Sequence, residues 1–226
     1  MIQNTIQYEQ FDNATTGKPY MVVPKVIGDS RGTFSEVLVD ENGMACIKQI
    51  NRSTSCKNTF RGFHAQAGKY CQSKIVEALT VPIVDIIIDA RPDSKSFGLC
   101  EAFLLDPKKQ NKLYVPRGFL HSVYIPDWDD EFKSDNAILM YYCDNVYDKE
   151  TGGLTISPKS VIAKLTEAFK DVEDDKDNFM LNLAKKLKDD SNIVLSDKDS
   201  KGMDYTEFME KVLQEYRESQ VLWYKD

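Results

Sequence analysis

The 226-residue chain is 42% hydrophobic and 29% charged, enough for one domain of ordinary size, or one domain with an appendage, around a real core. Its formal net charge of -7 argues against a protein whose main work is gripping nucleic acid or an anionic membrane. A small anionic ligand is still compatible with that charge, because a few local arginines can hold a phosphate.

In chain order, the polar stretch from Met1 to Asn13 lacks the basic start and apolar run of a signal peptide. Short β-type runs follow: Tyr20 to Val26, Thr33 to Val39, Ala45 to Asn51, Lys74 to Leu79, Val81 to Asp89, Glu101 to Leu105, Lys112 to Val115, His121 to Ile125 and Ala137 to Cys143. Turn chemistry separates them at Gly28-Asp29-Ser30-Arg31-Gly32, Arg91-Pro92-Asp93-Ser94 and Asp106-Pro107. Many short strands at this spacing, with no helical pattern between them, predict a mainly β fold, an antiparallel sandwich or barrel.

After Pro158 the apolar period changes. Val161, Leu165, Ala168, Phe169 and Val172, then Phe179, Met180, Leu183 and Leu187, recur at helical spacing on either side of the acidic stretch Glu173 to Asp177, predicting two amphipathic helices. A further helix is expected from Asp204, where Asp204 and Glu207 form a capping-box pattern. Asn192 to Lys201 reads as irregular. The organisation is thus a β core over 1–158 and a helical segment over 159–226 packed on the same domain. No segment approaches the roughly 18 consecutive apolar residues of a membrane span.

Five cysteines without a CxxC pair read as reduced thiols in a cytoplasmic protein rather than as disulfides or a zinc site. There are only two histidines, in Arg61-Gly62-Phe63-His64 and Pro116-Arg117-Gly118-Phe119-Leu120-His121. Proton chemistry that needs an imidazole near neutral pH must use one of them. A histidine at a strand end is, by itself, more often a hydrogen-bonded structural residue than a catalyst.

The order of several phrases is more specific. Gly28-Asp29-Ser30-Arg31-Gly32-Thr33-Phe34-Ser35-Glu36 is followed by Gln49-Ile50-Asn51-Arg52-Ser53, Arg61-Gly62-Phe63-His64-Ala65-Gln66 and Lys74-Ile75-Val76. Then come Val84 to Arg91, Ser94 to Gly98, Val115 to His121, a tyrosine-rich strand and Leu195-Ser196-Asp197-Lys198-Asp199. Over about 20–154 and again 195–199, this order resembles the dTDP-4-dehydrorhamnose 3,5-epimerase family. The resemblance implies a cupin-type, jelly-roll antiparallel β-barrel, here with additional C-terminal α-helices, that forms a homodimer. It further implies an isomerase of deoxysugar and polysaccharide biosynthesis that needs no cofactor. The substrate it implies is a nucleoside-diphosphate 4-keto-6-deoxy sugar, dTDP-linked, epimerised at C3 and/or C5.

Such a reaction needs a base to remove a proton next to the ketone, a partner for the enolate oxygen and an acid on the opposite face. By the resemblance, His64 is the base and Asp199 its carboxylate partner, with Asp197 as the alternative. Lys74 faces the ketone oxygen. Tyr141 is the acid, and a one-residue slip would give that role to Tyr142, because consecutive strand residues point to opposite faces. Arg31 and Arg61 resemble the family's diphosphate arginines. Gln49 and Asn51 share one strand face and bind sugar or nucleotide; Glu36, His121, Tyr147 and Lys198 are further substrate-binding candidates. Asp85 interrupts the apolar run Ile83 to Ile88 and is expected to support the site by pairing with Lys74 or His121.

Several positions depart from the family pattern. Phe63 stands where leucine is usual, Ala65 and Thr33 where aromatics are common, Val81-Pro82 for a glycine turn and Ser122-Val123 for glycine and phenylalanine. The long stretch Ser160 to Asp190 replaces a short segment; a lid, a dimer contact or simple decoration of the barrel would each fit it. The absence of a His-x-His pair argues against a metal site, and no glycine-rich dinucleotide fingerprint or Walker loop appears. Two rivals stand beside double epimerisation: a single-site C3 or C5 epimerase, and a non-catalytic sugar-nucleotide-binding cupin.

Overall fold

The computed structural model describes residues 4–14, 16–37, 47–127, 134, 136–149, 153–168, 179–189 and 192–225. Its strands are β1 (Asn4–Gln7), β2 (Tyr20–Val23), β3 (Val26–Asp29), β4 (Gly32–Ser35), β5 (Gln49–Ser55), β6 (Phe60–Gln66), β7 (Lys74–Ala78), β8 (Ile83–Asp89), β9 (Cys100–Leu105), β10 (Lys112–Val115), β11 (Phe119–Tyr124), β12 (Ala137–Cys143) and β13 (Gly153–Thr155). The helices are α1 (Pro158–Ala168), α2 (Phe179–Asp189), α3 (Asp197–Ser200) and α4 (Tyr205–Ser219). Six strands form one antiparallel sheet in the order β1-β2-β10-β7-β12-β5, and five form a second in the order β13-β6-β11-β8-β9. β3 and β4 form a separate two-stranded ribbon. This is the jelly-roll-like, mainly β architecture with C-terminal helices that the resemblance implies.

β8 explains how the layers stack. All seven of its residues are buried, because both of its faces are covered. Ile83 and Ile87 point between the sheets and pack with Val76, Phe103, Leu113, Phe119, Val123 and Leu139. Val84, Ile86 and Ile88 point outwards and pack with Val161 of α1, Met180, Leu183 and Leu187 of α2, and Phe208, Met209 and Val212 of α4. The helices therefore cover an apolar sheet face that water would otherwise wet, and each fully buried aliphatic side chain there contributes roughly 1.5–3 kcal/mol. At α4 the Asp204 carboxylate caps the helix by accepting from the Thr206 and Glu207 amides.

Some boundaries differ from the sequence reading. The expected turn Gly28 to Gly32 lies largely within the ribbon, where Gly28 pairs with Thr33 and Asp29 with Gly32, leaving Ser30 and Arg31 as the tip. β4 ends at Ser35 and β5 begins at Gln49, while residues 38–39 and 45–46 of the expected strands lie outside the described residues. The Glu173 to Asp177 loop, Phe169, Val172 and Asp190 also lie outside them. Asn192 to Lys201 is not wholly irregular: Ser196 accepts a hydrogen bond from the Asp199 amide and starts α3. β1 and β13 have no counterpart among the β-type runs of the sequence; β6, the strand that carries His64, is missing from those runs because its alternation is broken in the middle.

Candidate active site

That break builds the site. Along β6, His64 pairs with His121 and Arg61 pairs with Val123 of β11, so three residue steps on one strand match two on the other. The extra residue is a bulge at Gly62-Phe63, and it turns both Arg61 and His64 towards the same cavity. Only glycine fits at position 62. Its φ is +120°, and a Cβ there would lie 2.7 Å from the His121 carbonyl oxygen and 2.7 Å from the Ser122 Cβ.

His64 Nε2 lies 2.6 Å from Asp199 Oδ1, bridging 135 positions in sequence. Asp199 reaches it because the chain after α2 is stitched to the start of β6: the Phe60 amide donates to the Val194 carbonyl (3.0 Å), and the Val194 amide donates to that of Asn58 (2.9 Å). Burial pushes the Asp199 carboxyl up. Hydrogen bonds from His64, Ser196 and the Gly62 amide, with the His64 charge, outweigh burial and hold it below the ordinary carboxylate range. Asp197, the alternative partner, is exposed on α3.

The opposite wall comes from the six-stranded sheet. Tyr141 pairs with Asn51 on one side and Val76 on the other, while Cys143 pairs with Gln49 and Lys74. Gln49, Asn51, Ser53, Lys74, Tyr141 and Cys143 therefore share the inner face and line the cavity. On β5 this inverts the usual pattern, since polar residues face inwards while Ile50 is 55% exposed. Such a wall suits a polar ligand better than an apolar core.

Burial holds the Lys74 ammonium below the ordinary lysine range, partly offset by Cys143, Cys71 and Asp85. Burial likewise raises the Tyr141 phenol, which lies 3.3 Å from the Ser53 hydroxyl. Tyr142 points to the other face and donates to Glu77 Oε1 at 2.6 Å.

Facing this wall from the five-stranded sheet, His121 Nε2 lies 2.8 Å from Asp85 Oδ2, and the His121 ring meets the Tyr141 ring edge-on. Asp85 is fully buried, and its second oxygen has no hydrogen-bond partner. Arg61 donates to the Ser55 hydroxyl (2.7 Å) and the Thr54 carbonyl (3.2 Å) at the rim. Lys198 and Tyr147 also line the cavity; a Cβ on Gly153 would lie 3.3 Å from Lys198 Nζ and 3.8 Å from the Tyr147 hydroxyl. The cavity holds about 730 Å³, a size suited to a small-molecule ligand.

Ten of the thirteen expected residues thus line one cavity, and Asp85 touches it through His121. Arg31 and Glu36 do not line it: they lie on and just after the ribbon, where the Arg31 side chain is 88% exposed and paired with Asp29. Ser53, Gln66, Gln72 and Cys143 line the cavity without having been singled out. The period-2 rule that grouped Gln49 with Asn51 also reaches Ser53. Among the described residues, no three His, Cys, Asp or Glu side chains converge as metal ligands.

The family model for dTDP-4-dehydrorhamnose 3,5-epimerase matches residues 16–207. The chain is 32% identical to the dTDP-4-dehydrorhamnose 3,5-epimerase of Escherichia coli over 161 residues, covering 60% of this chain and 83% of that one. In fold it is similar to the dTDP-6-deoxy-D-glucose-3,5-epimerase of Legionella pneumophila solved with dTDP-4-keto-L-rhamnose, with a TM-score of 0.69, 23% identity, and 94% of this chain and 97% of that chain covered. It is similar in fold also to a 3'-monoepimerase of Streptomyces bikiniensis in complex with dTDP-quinovose, with a TM-score of 0.65, 19% identity, and 91% and 95% covered. With a match that spans most of its length and the site described above, the chain belongs to the dTDP-4-dehydrorhamnose 3,5-epimerase family.

Proposed function

We propose that the His64–Asp199 pair, Lys74 and Tyr141 carry the family's reaction in this chain, the epimerisation of dTDP-4-keto-6-deoxy sugars at C3/C5. The supporting observation is that the carboxylate bonded to His64 is a buried one from a distant segment, inside a cavity whose facing wall presents Lys74 and Tyr141. With Nε2 tied to Asp199, His64 takes the substrate C–H proton on Nδ1, and Asp199 stabilises the imidazolium that results. The C–H electron pair moves into the ring, and the ketone oxygen gains negative charge opposite the Lys74 ammonium, whose poorly hydrated setting strengthens the attraction. Tyr141 then returns a proton to carbon from the other face. His121, tied to Asp85, braces the Tyr141 ring from the facing sheet. Gln49, Asn51, Arg61, Tyr147 and Lys198 bind the nucleotide end.

The placement of Arg31 and Glu36 outside the cavity, with Val26, Ile27 and Phe34 exposed on the same ribbon, supports a homodimer. In it the ribbon docks on a second copy and delivers Arg31 and Glu36 to the neighbouring cavity. The 159–226 segment belongs to the same domain as the core, and the reduced thiols fit a cytoplasmic enzyme. Among the described residues, no helix is long and apolar enough to cross a membrane.

Proton NMR in D2O with dTDP-4-keto-6-deoxyglucose tests this reading. Deuterium at both C3 and C5 is expected. Deuterium at one position makes the chain a single-site epimerase, and binding without exchange makes it a non-catalytic sugar-nucleotide-binding protein.

A further inference from the structure

Proton transfer on opposite faces leaves the enzyme in the wrong charge state. After one epimerisation His64 holds an extra proton and Tyr141 lacks one, so both must be reset before the pair acts again. The two groups are unequally placed for this. The His64 side chain is 37% exposed and reaches solvent directly. Burial raises the Tyr141 phenol, which makes its tyrosinate costly, and the carboxylate of Asp85 adds to that cost. The hydroxyl of Ser53, 3.3 Å from the Tyr141 oxygen, is positioned to serve it. Ser53 lines the cavity, and Ser55, two residues on along the same strand face, accepts a hydrogen bond from Arg61 at the exposed rim.

We propose that Ser53 is the positioning residue that resets Tyr141, relaying a proton from cavity water to the tyrosinate between carbon protonations. The proposal rests on Tyr141 being the acid of the reaction proposed above. The proton count closes: carbon gives a proton to His64 and receives one from Tyr141. The tyrosinate then takes the Ser53 hydroxyl proton, Ser53 takes one from water, and the proton that leaves His64 for solvent makes good that water. No bond other than those to hydrogen is made or broken in the reset. Charged and titratable groups facing Tyr141 are Asp85 from β8, Arg61 from β6, His121 from β11 and Cys143 from its own strand. The side chain at hydrogen-bond distance from its hydroxyl is Ser53.

The test is rapid-quench kinetics in D2O with dTDP-4-keto-6-deoxyglucose on the full-length wild type, Ser53→Ala and Ser53→Thr. Ser53→Ala is expected to give one exchange event per active site at close to the wild-type rate, then steady-state turnover at least tenfold slower, with KM little changed. Ser53→Thr, which keeps a hydroxyl, is expected to restore turnover. The relay is overturned if Ser53→Ala turns over like wild type, or if its first event slows as much as its steady state. A wild type that exchanges no substrate proton overturns the reaction itself instead.

Discussion

Arg61 and His64 stand three residues apart on one strand and still face the same cavity, because the bulge at Gly62-Phe63 gives β6 an extra residue against β11. In a regular strand that spacing would send them to opposite faces.

Gly62→Ala is therefore expected to be damaging. The backbone conformation alone costs about 1–3 kcal/mol for a residue with a Cβ, and the clash with the His121 carbonyl and Ser122 adds to it. Activity falls as well, since the Gly62 amide helps hold Asp199. Gly68→Ala is the control: its φ is also positive, at +52°, but nothing lies within 4 Å of the added Cβ. Urea unfolding and turnover of the two variants check this, and equal behaviour would remove the bulge argument.

His64→Ala is expected to lower turnover by on the order of 10²–10⁴-fold, the usual contribution of a positioned base. Asp199→Asn removes the partner that orients it and should act mainly on kcat. The folded-state carboxyl of Asp199 is held low. Its stabilising contribution is present above the unfolded carboxyl value of about 3.9 and is lost as pH falls through the folded one. The stability gap between wild type and Asp199→Asn, measured by urea titration, should shrink from pH 7 to pH 3.

At Lys74, unlike Asp199, the charged form is the one the fold disfavours. Burial lowers its folded value, so between that value and the ordinary lysine range the unfolded chain binds more protons and stability rises with pH. Lys74→Met should cost roughly 10²–10³-fold in turnover, as removal of an oxyanion partner does, yet raise the melting temperature at neutral pH. A variant both inactive and less stable would count against a buried charge held for chemistry.

The two neighbouring tyrosines should separate function from stability. Tyr141→Phe is expected to lose on the order of 10²-fold or more in turnover with substrate binding retained. Tyr142→Phe should keep activity and lose about 1–3 kcal/mol, because Glu77, buried beside Lys112, loses a hydrogen-bond donor. Exchange of these two phenotypes would mean that the register of β12 is shifted by one residue.

If the ribbon of one copy serves the cavity of the other, Arg31→Ala and His64→Ala subunits should complement. Each mutant alone is impaired; a mixed dimer has one cavity with an intact His64 and a partner ribbon with an intact Arg31. Activity that reappears on mixing and subunit exchange supports the arrangement. Mixtures that only average the two mutants place Arg31 elsewhere.

What depends on local period and composition is legible along the chain. This includes the antiparallel β architecture, the switch to helices after Pro158, the shared face of Gln49 and Asn51, and the opposition of Tyr141 and Tyr142. The ordered phrases also pointed to the family. What depends on a partner far along the chain is legible only in the fold. Whether Asp197 or Asp199 meets His64 follows from the pairing of Val194 with the start of β6 and from the Ser196 cap of α3, neither of which has a local signature. The common facing of Arg61 and His64 follows from a mismatch of residue count between β6 and β11, which no single strand encodes. The position of Arg31 outside its own cavity, and the approach of Ser53 to Tyr141, likewise appear only once the strands are laid side by side.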